Sequence, residues 1–93
     1  MKVGIDYPLI SVGIPTYNRS QGVIRTLTSV FRQRYPNIEI IVSDNCSTDS
    51  TQQEVQRVGM RHHELKYLRQ SSNIGMIANF DFVLRKATGK YFM

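Results

Sequence analysis

The stretch Ile38-Glu39-Ile40-Ile41-Val42-Ser43-Asp44-Asn45-Cys46-Ser47-Thr48-Asp49-Ser50-Thr51 decides how the rest of the chain is read. It opens as an apolar, largely β-branched run, breaks into small polar residues at Ser43, and continues into residues that cap helices. The pattern predicts a strand, a loop and a helix start. A strand this apolar has no wet face, so it belongs inside a parallel sheet covered on both sides. Asp44 then stands at the strand's carboxyl end. In open α/β sheets ligands bind in the crevice beyond those ends, which makes Asp44 the first candidate binding residue.

On the N-terminal side, Leu9-Ile10-Ser11-Val12-Gly13-Ile14-Pro15-Thr16 reads as a central strand that stops at Pro15, where the ladder loses a donor. The loop Thr16-Tyr17-Asn18-Arg19-Ser20 follows, with Ser20 as cap. Val23, Ile24, Leu27, Val30 and Phe31 then fall at helical spacing until Pro36 ends the helix. On the C-terminal side, Thr51 with Glu54 fits the capping-box spacing, and Thr51, Val55, Val58 and Met60 make a short stripe closed by Gly59. Leu65-Lys66-Tyr67-Leu68-Arg69 is a third strand, and Asn73 caps a third helix beginning near Ile74. Met76, Phe80, Val83, Leu84 and Ala87 are its expected inner face, Gly89 stops it, and Lys90 to Met93 begin a fourth strand.

This order, β-α-β-α-β-α-β, predicts an α/β fold: a Rossmann-like three-layer half-domain with a mainly parallel sheet and right-handed crossovers. The loops after the first three strands should meet at one rim. They hold Thr16, Tyr17, Asn18 and Arg19; Asp44, Asn45 and Ser47; and Gln70, Asn73 and Gly75.

Composition narrows the class. The 93 residues are one domain at most, and 41% hydrophobic with 20% charged residues is ordinary for a soluble globular chain. No apolar run approaches the ~20 residues of a membrane span. Met1 to Asp6 lack the apolar region of a signal peptide, so a cytoplasmic location is the default. The lone Cys46 cannot form an internal disulfide and reads as an inert loop residue, and the adjacent His62 and His63 point apart and read as surface residues. The net charge is +5. Residues 52–93 carry +4 of it, from Arg57, Arg61, Lys66, Arg69, Arg85, Lys86 and Lys90 against Glu54, Glu64 and Asp81. That bias leaves an alternative open, a noncatalytic basic module that binds nucleic acid or a partner protein. The dispersed charges and the lack of a nucleic-acid motif argue against nucleic acid.

The rim lacks both Gly-x-Gly-x-x-Gly and a Walker-type loop, which excludes the two best-known phosphate cradles. It offers an aromatic ring in Tyr17, a carboxylate in Asp44, amide side chains and Arg69 nearby. Such a set can stack a planar ring and accept hydrogen bonds from its edge, as uracil or guanine N–H groups would provide. The competing reading has Tyr17 packed on its own loop and Asp44 or Asp49 capping the second helix.

Ile14-Pro15-Thr16-Tyr17-Asn18-Arg19, Ile41 through Thr51, Asn73-Ile74-Gly75 and Ala87-Thr88-Gly89-Lys90-Tyr91 together resemble the nucleotide-binding half of family 2 inverting glycosyltransferases, which have the glycosyltransferase A fold. The resemblance implies that Thr16, Tyr17 and Arg19 line a nucleoside pocket and that Asp44 binds the base. Asn45 and Ser47 would shape the same loop, and Asn73 and Gly75 would start the helix beside the ribose and diphosphate. It implies a nucleotide-diphosphate sugar of UDP or dTDP type as donor, and Mg or Mn in the full-length enzyme. Cell-surface polysaccharide synthesis and a place at the inner face of the membrane for the parent protein follow from the same resemblance. Two departures stand out: Ser43 replaces a common second acidic residue, and Asn79-Phe80-Asp81 replaces Ala-Arg-Asn, with Asp81 expected on the helix flank or in a buried hydrogen bond, and ligand contact as the alternative. The family's Asp-x-Asp motif and catalytic base would lie after Met93, so no residue of 1–93 is assigned as metal ligand or catalytic base. The piece is expected to bind nucleotide without transferring sugar or holding metal alone, and to self-associate through the Tyr91 to Met93 edge.

Overall fold

A computed structural model describes residues 7–93; the expectation about Met1 to Asp6 lies outside them. Strands and helices alternate: β1 (Ile10–Thr16), α1 (Ser20–Arg32), β2 (Ile38–Asp44), α2 (Thr51–Gly59), β3 (Leu65–Arg69), α3 (Met76–Lys86) and β4 (Tyr91–Phe92). The sheet order is β3-β2-β1-β4 and every neighbouring pair is parallel. Thr16 pairs with Asp44 and Asp44 with Arg69, so β1, β2 and β3 end level. Their loops therefore leave from one rim, as the element order predicts.

One face of the sheet carries Val12, Ile40 and Val42, which pack with Val23 and Leu27 of α1 and Val55 of α2. Each such side chain contributes about 1.5–3 kcal/mol through burial. The alternate strand positions face α3. There the sheet is paved with small residues, Ser11, Gly13 and Ser43, around Ile41. A Cβ on Gly13 would lie 2.7 Å from Phe92 Cζ and 3.2 Å from Val83 Cγ1, so the missing side chain is what lets α3 and β4 approach β1.

That polar pavement turns α3 away from its expected orientation. Met76, Phe80 and Leu84 are exposed, Met76 by 81%; Val83 is buried as expected, and Asn79 is buried with it. Ser43 Oγ donates to Asn79 Oδ1 at 2.6 Å, and Asn79 Nδ2 donates back to the Ser43 carbonyl at 2.9 Å. Two buried polar side chains satisfied by each other set the helix on its Asn79–Val83 line, because leaving either unpaired would cost about 1–3 kcal/mol. Asp81 sits on the exposed flank and pairs with Arg85 at 2.6 Å.

The helix starts also differ from expectation. Thr51 is the first residue of α2 rather than a capping-box partner: its Oγ1 and its N–H both donate to Asp49 Oδ1, and Glu54 pairs with Arg57. Ser20 is the first residue of α1, not its cap, and its N–H donates to Asp49 Oδ2 at 3.3 Å. One carboxylate thus serves both helix starts. α3 begins at Met76, two residues later than expected, behind Gly75 at φ 92°; Asn73 Oδ1 accepts the Gly75 N–H instead of capping a helical amide. Met60 lies beyond α2 and is 86% exposed rather than part of its stripe.

At the far end of the sheet, Glu39 is buried between β1, β3 and the turn into β4. Its Oε2 accepts Ser11 Oγ at 2.5 Å, the Thr88 N–H at 2.6 Å and Thr88 Oγ1 at 2.9 Å, while Oε1 receives Lys66 Nζ at 3.4 Å. Burial alone pushes this carboxyl up, but the donors from Ser11, Thr88 and Lys66 outweigh it and hold it at about 2. Ser11 Oγ also accepts the Gly89 N–H at 2.8 Å, which fixes the approach of β4 to β1.

Candidate functional site

The rim is built by three loops that bind one another. Asn18, held at φ 50°, donates its N–H to Ser47 Oγ at 2.8 Å, and its Oδ1 accepts the N–H groups of Thr48 and Asp49 at 2.7 and 3.2 Å. This ties the loop after β1 to the loop after β2. Asn45 Nδ2 donates to Asn73 Oδ1 at 2.9 Å and to the Gly75 carbonyl at 3.2 Å, and Asn45 Oδ1 accepts the Ile74 N–H at 2.8 Å. This ties the loop after β2 to the loop after β3. Cys46, at φ 67°, occupies the bend between the two ties.

Asp44 lies beneath the crossing and is fully buried. Its Oδ1 accepts both the N–H and the hydroxyl of Ser47, at 2.9 and 2.5 Å, and its Oδ2 accepts the Tyr67 hydroxyl at 2.5 Å. Of the carboxylate's four lone-pair directions, three are filled and one on Oδ2 is left. Burial pushes the Tyr67 phenol well above its ordinary value, and the hydrogen bond to Asp44 and its charge add to the rise. Arg69 Nη2 donates to the Ser47 carbonyl at 3.0 Å and fixes the same bend from β3.

The remaining candidates stand elsewhere on the rim. Thr16, buried, and Arg19, exposed, line a groove of about 600 Å³ that runs between the end of β1 and the flank of α1. Tyr17, in the same loop, is 43% exposed. The structure therefore joins Asp44 to Ser47, and Asn45 to Asn73 and Gly75, by direct hydrogen bonds, and places Thr16 and Arg19 on the adjacent groove with Tyr17 between them in the loop. Helices α1 and α2 both start at this rim, so their N-terminal amides make it a region that favours anions.

Three contributors, Asn18, Tyr67 and Asp49, carry no binding role in the sequence reading. Asn18 is legible in principle, because Asn tolerates the left-handed conformation and bonds backbone amides in turns. Tyr67 is a strand residue whose hydroxyl needs a buried partner, and nothing local names Asp44 as that partner. Asp49 was weighed only as a cap of the second helix, and its bond to α1 crosses the rim. Among the described residues no group of three His, Cys, Asp or Glu side chains could hold a metal ion. Both rim carboxylates, Asp44 and Asp49, are engaged by their own chain, so these residues alone do not fit a metal site.

The sequence model described as glycosyl transferase family 2 matches residues 11–93. The abequosyltransferase RfbV of Salmonella typhimurium is 38% identical over 86 residues, which cover 89% of this chain and 26% of that protein. The GalNAc(5)-diNAcBac-PP-undecaprenol beta-1,3-glucosyltransferase of Campylobacter jejuni is 34% identical over 85 residues, covering 90% and 28%. Among solved structures, the mannosyltransferase PcManGT of Pyrobaculum calidifontis, in complex with GDP-Man and Mn2+, superposes with a TM-score of 0.84 at 30% identity over 94% of this chain and 26% of that one. TarS 1–349 of S. aureus in complex with UDP gives 0.81 at 31% identity, covering 90% and 25%. These neighbours have the glycosyltransferase A fold. The chain spans less than a third of the length of these proteins.

Proposed function

The chain belongs to glycosyl transferase family 2, and from that membership we propose that it is the nucleotide-binding part of an enzyme that moves a sugar, with inversion, from a nucleotide-diphosphate sugar to an acceptor hydroxyl. The observation that carries the proposal is the convergence of three loops, bonded to one another, at the carboxyl rim of a parallel sheet where two helices also start. Solved neighbours in complex with UDP and with GDP-Man support a nucleotide ligand. A UDP or dTDP sugar is the donor in this reading, and a relative named for a lipid-linked undecaprenol substrate supports work on a cell-surface glycan near the membrane.

Tyr17 stacks on the base, Thr16 and Arg19 line the nucleoside and phosphate groove, and Asp44 accepts an N–H from the base edge through its last lone pair. Because Asp44 is buried, that contact requires the Asn18–Ser47 tie to loosen. Asn45, Asn73 and Gly75 hold the side of the rim nearest the ribose and diphosphate. Mg or Mn, whose use in full-length enzymes is suggested by the Mn2+ complex of a neighbour, belongs to the parent rather than to these residues. On this reading the chain binds nucleotide without transferring sugar, and the outer edge of β4 is where two copies would pair.

Calorimetric titration of the chain with UDP tests the proposal. Saturable binding that Asp44→Ala weakens tenfold or more is the expected result. Absence of saturable binding, with retention on any polyanion that salt abolishes, would instead favour a basic binding module.

A further inference from the structure

We propose that the outer layer formed by α1 and α2 docks on an anionic lipid bilayer. Between Tyr7 and Ile38 the chain contains four arginines and no acidic residue. The structure shows what this imbalance does. Elsewhere the described basic side chains have partners: Lys66 pairs with Glu39, Arg85 with Asp81, Arg57 with Glu54, Arg69 with the Ser47 carbonyl, and Lys86 and Lys90 stand over aromatic rings. Among the described residues, the arginines left without such a partner are Arg19, Arg25, Arg32, Arg34 and Arg61. Arg25 and Arg32 sit on α1, Arg34 in the turn after it and Arg61 in the turn after α2, while Arg19 precedes α1 at the rim.

Two of these arginines share one helical stripe. Arg25 and Arg32 are seven residues apart, on the stripe of α1 opposite the buried Val23 and Leu27, and so about 10 Å apart along the helix. Arg57 on α2, paired with Glu54, and Arg61 in the turn after it continue the layer, and Met60 between them in sequence is 86% exposed. Between the helices a cleft of about 280 Å³ has an apolar floor, including Leu27, Phe31 and Val58, and a rim of Arg57, Arg61 and His62. His62 is held there by stacking on Phe31 at 3.7 Å.

Unpaired arginine along an outward helical stripe, with an exposed methionine near the charges, matches the phosphate groups and shallow apolar zone of a bilayer surface. Nucleic acid fits less well, because the one aromatic residue within α1 and α2, Phe31, is half-buried and already stacked on His62. The rim opens at the N-termini of the two helices, so docking would leave it facing along the membrane surface. The inference does not depend on nucleotide binding.

Co-sedimentation with vesicles tests it, using phosphatidylcholine alone and phosphatidylcholine mixed with phosphatidylglycerol. The chain is expected to bind the mixed vesicles and to be released by high salt. Each basic residue near such a surface multiplies partitioning by about five, so Arg25→Glu with Arg32→Glu should lower it by about 30-fold or more. Arg85→Glu with Lys86→Glu makes the same charge change on the opposite layer and should alter partitioning by less than about twofold. Equal loss in both double variants, equal binding to neutral vesicles, or full displacement from the mixed vesicles by duplex DNA at matched charge would each overturn the proposal.

Discussion

Replacing Glu39 by glutamine keeps the side chain's shape and removes its charge, and the expected loss is about 3 kcal/mol of stability at neutral pH. Two routes reach that figure. Oε2 accepts three hydrogen bonds, from Ser11 Oγ, Thr88 N–H and Thr88 Oγ1. A bond to a charged group contributes about 1.5–3 kcal/mol and a neutral one about 1 kcal/mol, so weakening three of them costs on the order of 3 kcal/mol. Separately, the carboxyl is held at about 2 against an ordinary 4.5, and each unit corresponds to about 1.4 kcal/mol.

The sign follows from the direction of the shift. A carboxyl lowered in the folded state contributes its stability fully above about 4.5 and loses it as the pH falls towards about 2. Urea denaturation of both proteins, from neutral pH down to about 2.5, should show a gap of about 3 kcal/mol that closes over that window. A gap that stays constant with pH, or no gap at neutral pH, would refute the assignment of the stabilisation to this ionised group. The first amides to lose hydrogen-exchange protection in the variant should be Lys90 and Met93, which bond to Leu9 and Ser11 across the β4 junction that Glu39 anchors.

Two further outcomes follow from the same contacts. Tyr67→Phe removes one of three donors to the buried Asp44 carboxylate and should lower stability by about 2 kcal/mol in thermal unfolding. Because the Tyr67 phenol is raised in the fold, the native protein should also lose stability above about pH 10, and the Phe variant should lack that loss. Gly89→Ala would place a Cβ 2.6 Å from Ser11 Oγ and 2.8 Å from the Leu9 carbonyl oxygen and the Ser11 nitrogen. Two of those contacts are backbone, so the strain of about 1–3 kcal/mol should appear as β4 detaching, read by exchange at Met93.

The sheet was legible because its strands are short apolar runs bounded by Pro, Asn and capping residues, and the boundaries of β3 coincide with Leu65-Lys66-Tyr67-Leu68-Arg69. What periodicity could not settle was which side of α3 faces inward. Met76, Phe80 and Leu84 form a clear apolar stripe, and an apolar stripe is normally the buried one. Here the partner surface decides: Ser11, Gly13 and Ser43 offer α3 little apolar area, while Ser43 offers a donor and an acceptor that Asn79 matches. The apolar stripe is left outward in a chain that covers less than a third of its relatives' length. Helix caps were misread for a related reason. A cap is a side chain within reach of an amide in space, and Asp49 reaches both α1 and α2 although it lies 29 residues from Ser20.

The capping reading of the rim acidic residues holds for Asp49 and not for Asp44. Asp49 does the work of a cap. Asp44 does not touch the helix start; it is clamped between Ser47 and Tyr67, with a single lone pair on Oδ2 uncommitted. A capping carboxylate would satisfy helical amides and need no phenol. In the proposed function that open direction meets the base, and Tyr67, sharing the same oxygen, determines where the remaining lone pair points. Loss of the Tyr67 hydroxyl should therefore weaken UDP binding even at temperatures where the variant is fully folded, a result that a purely structural clamp would not produce.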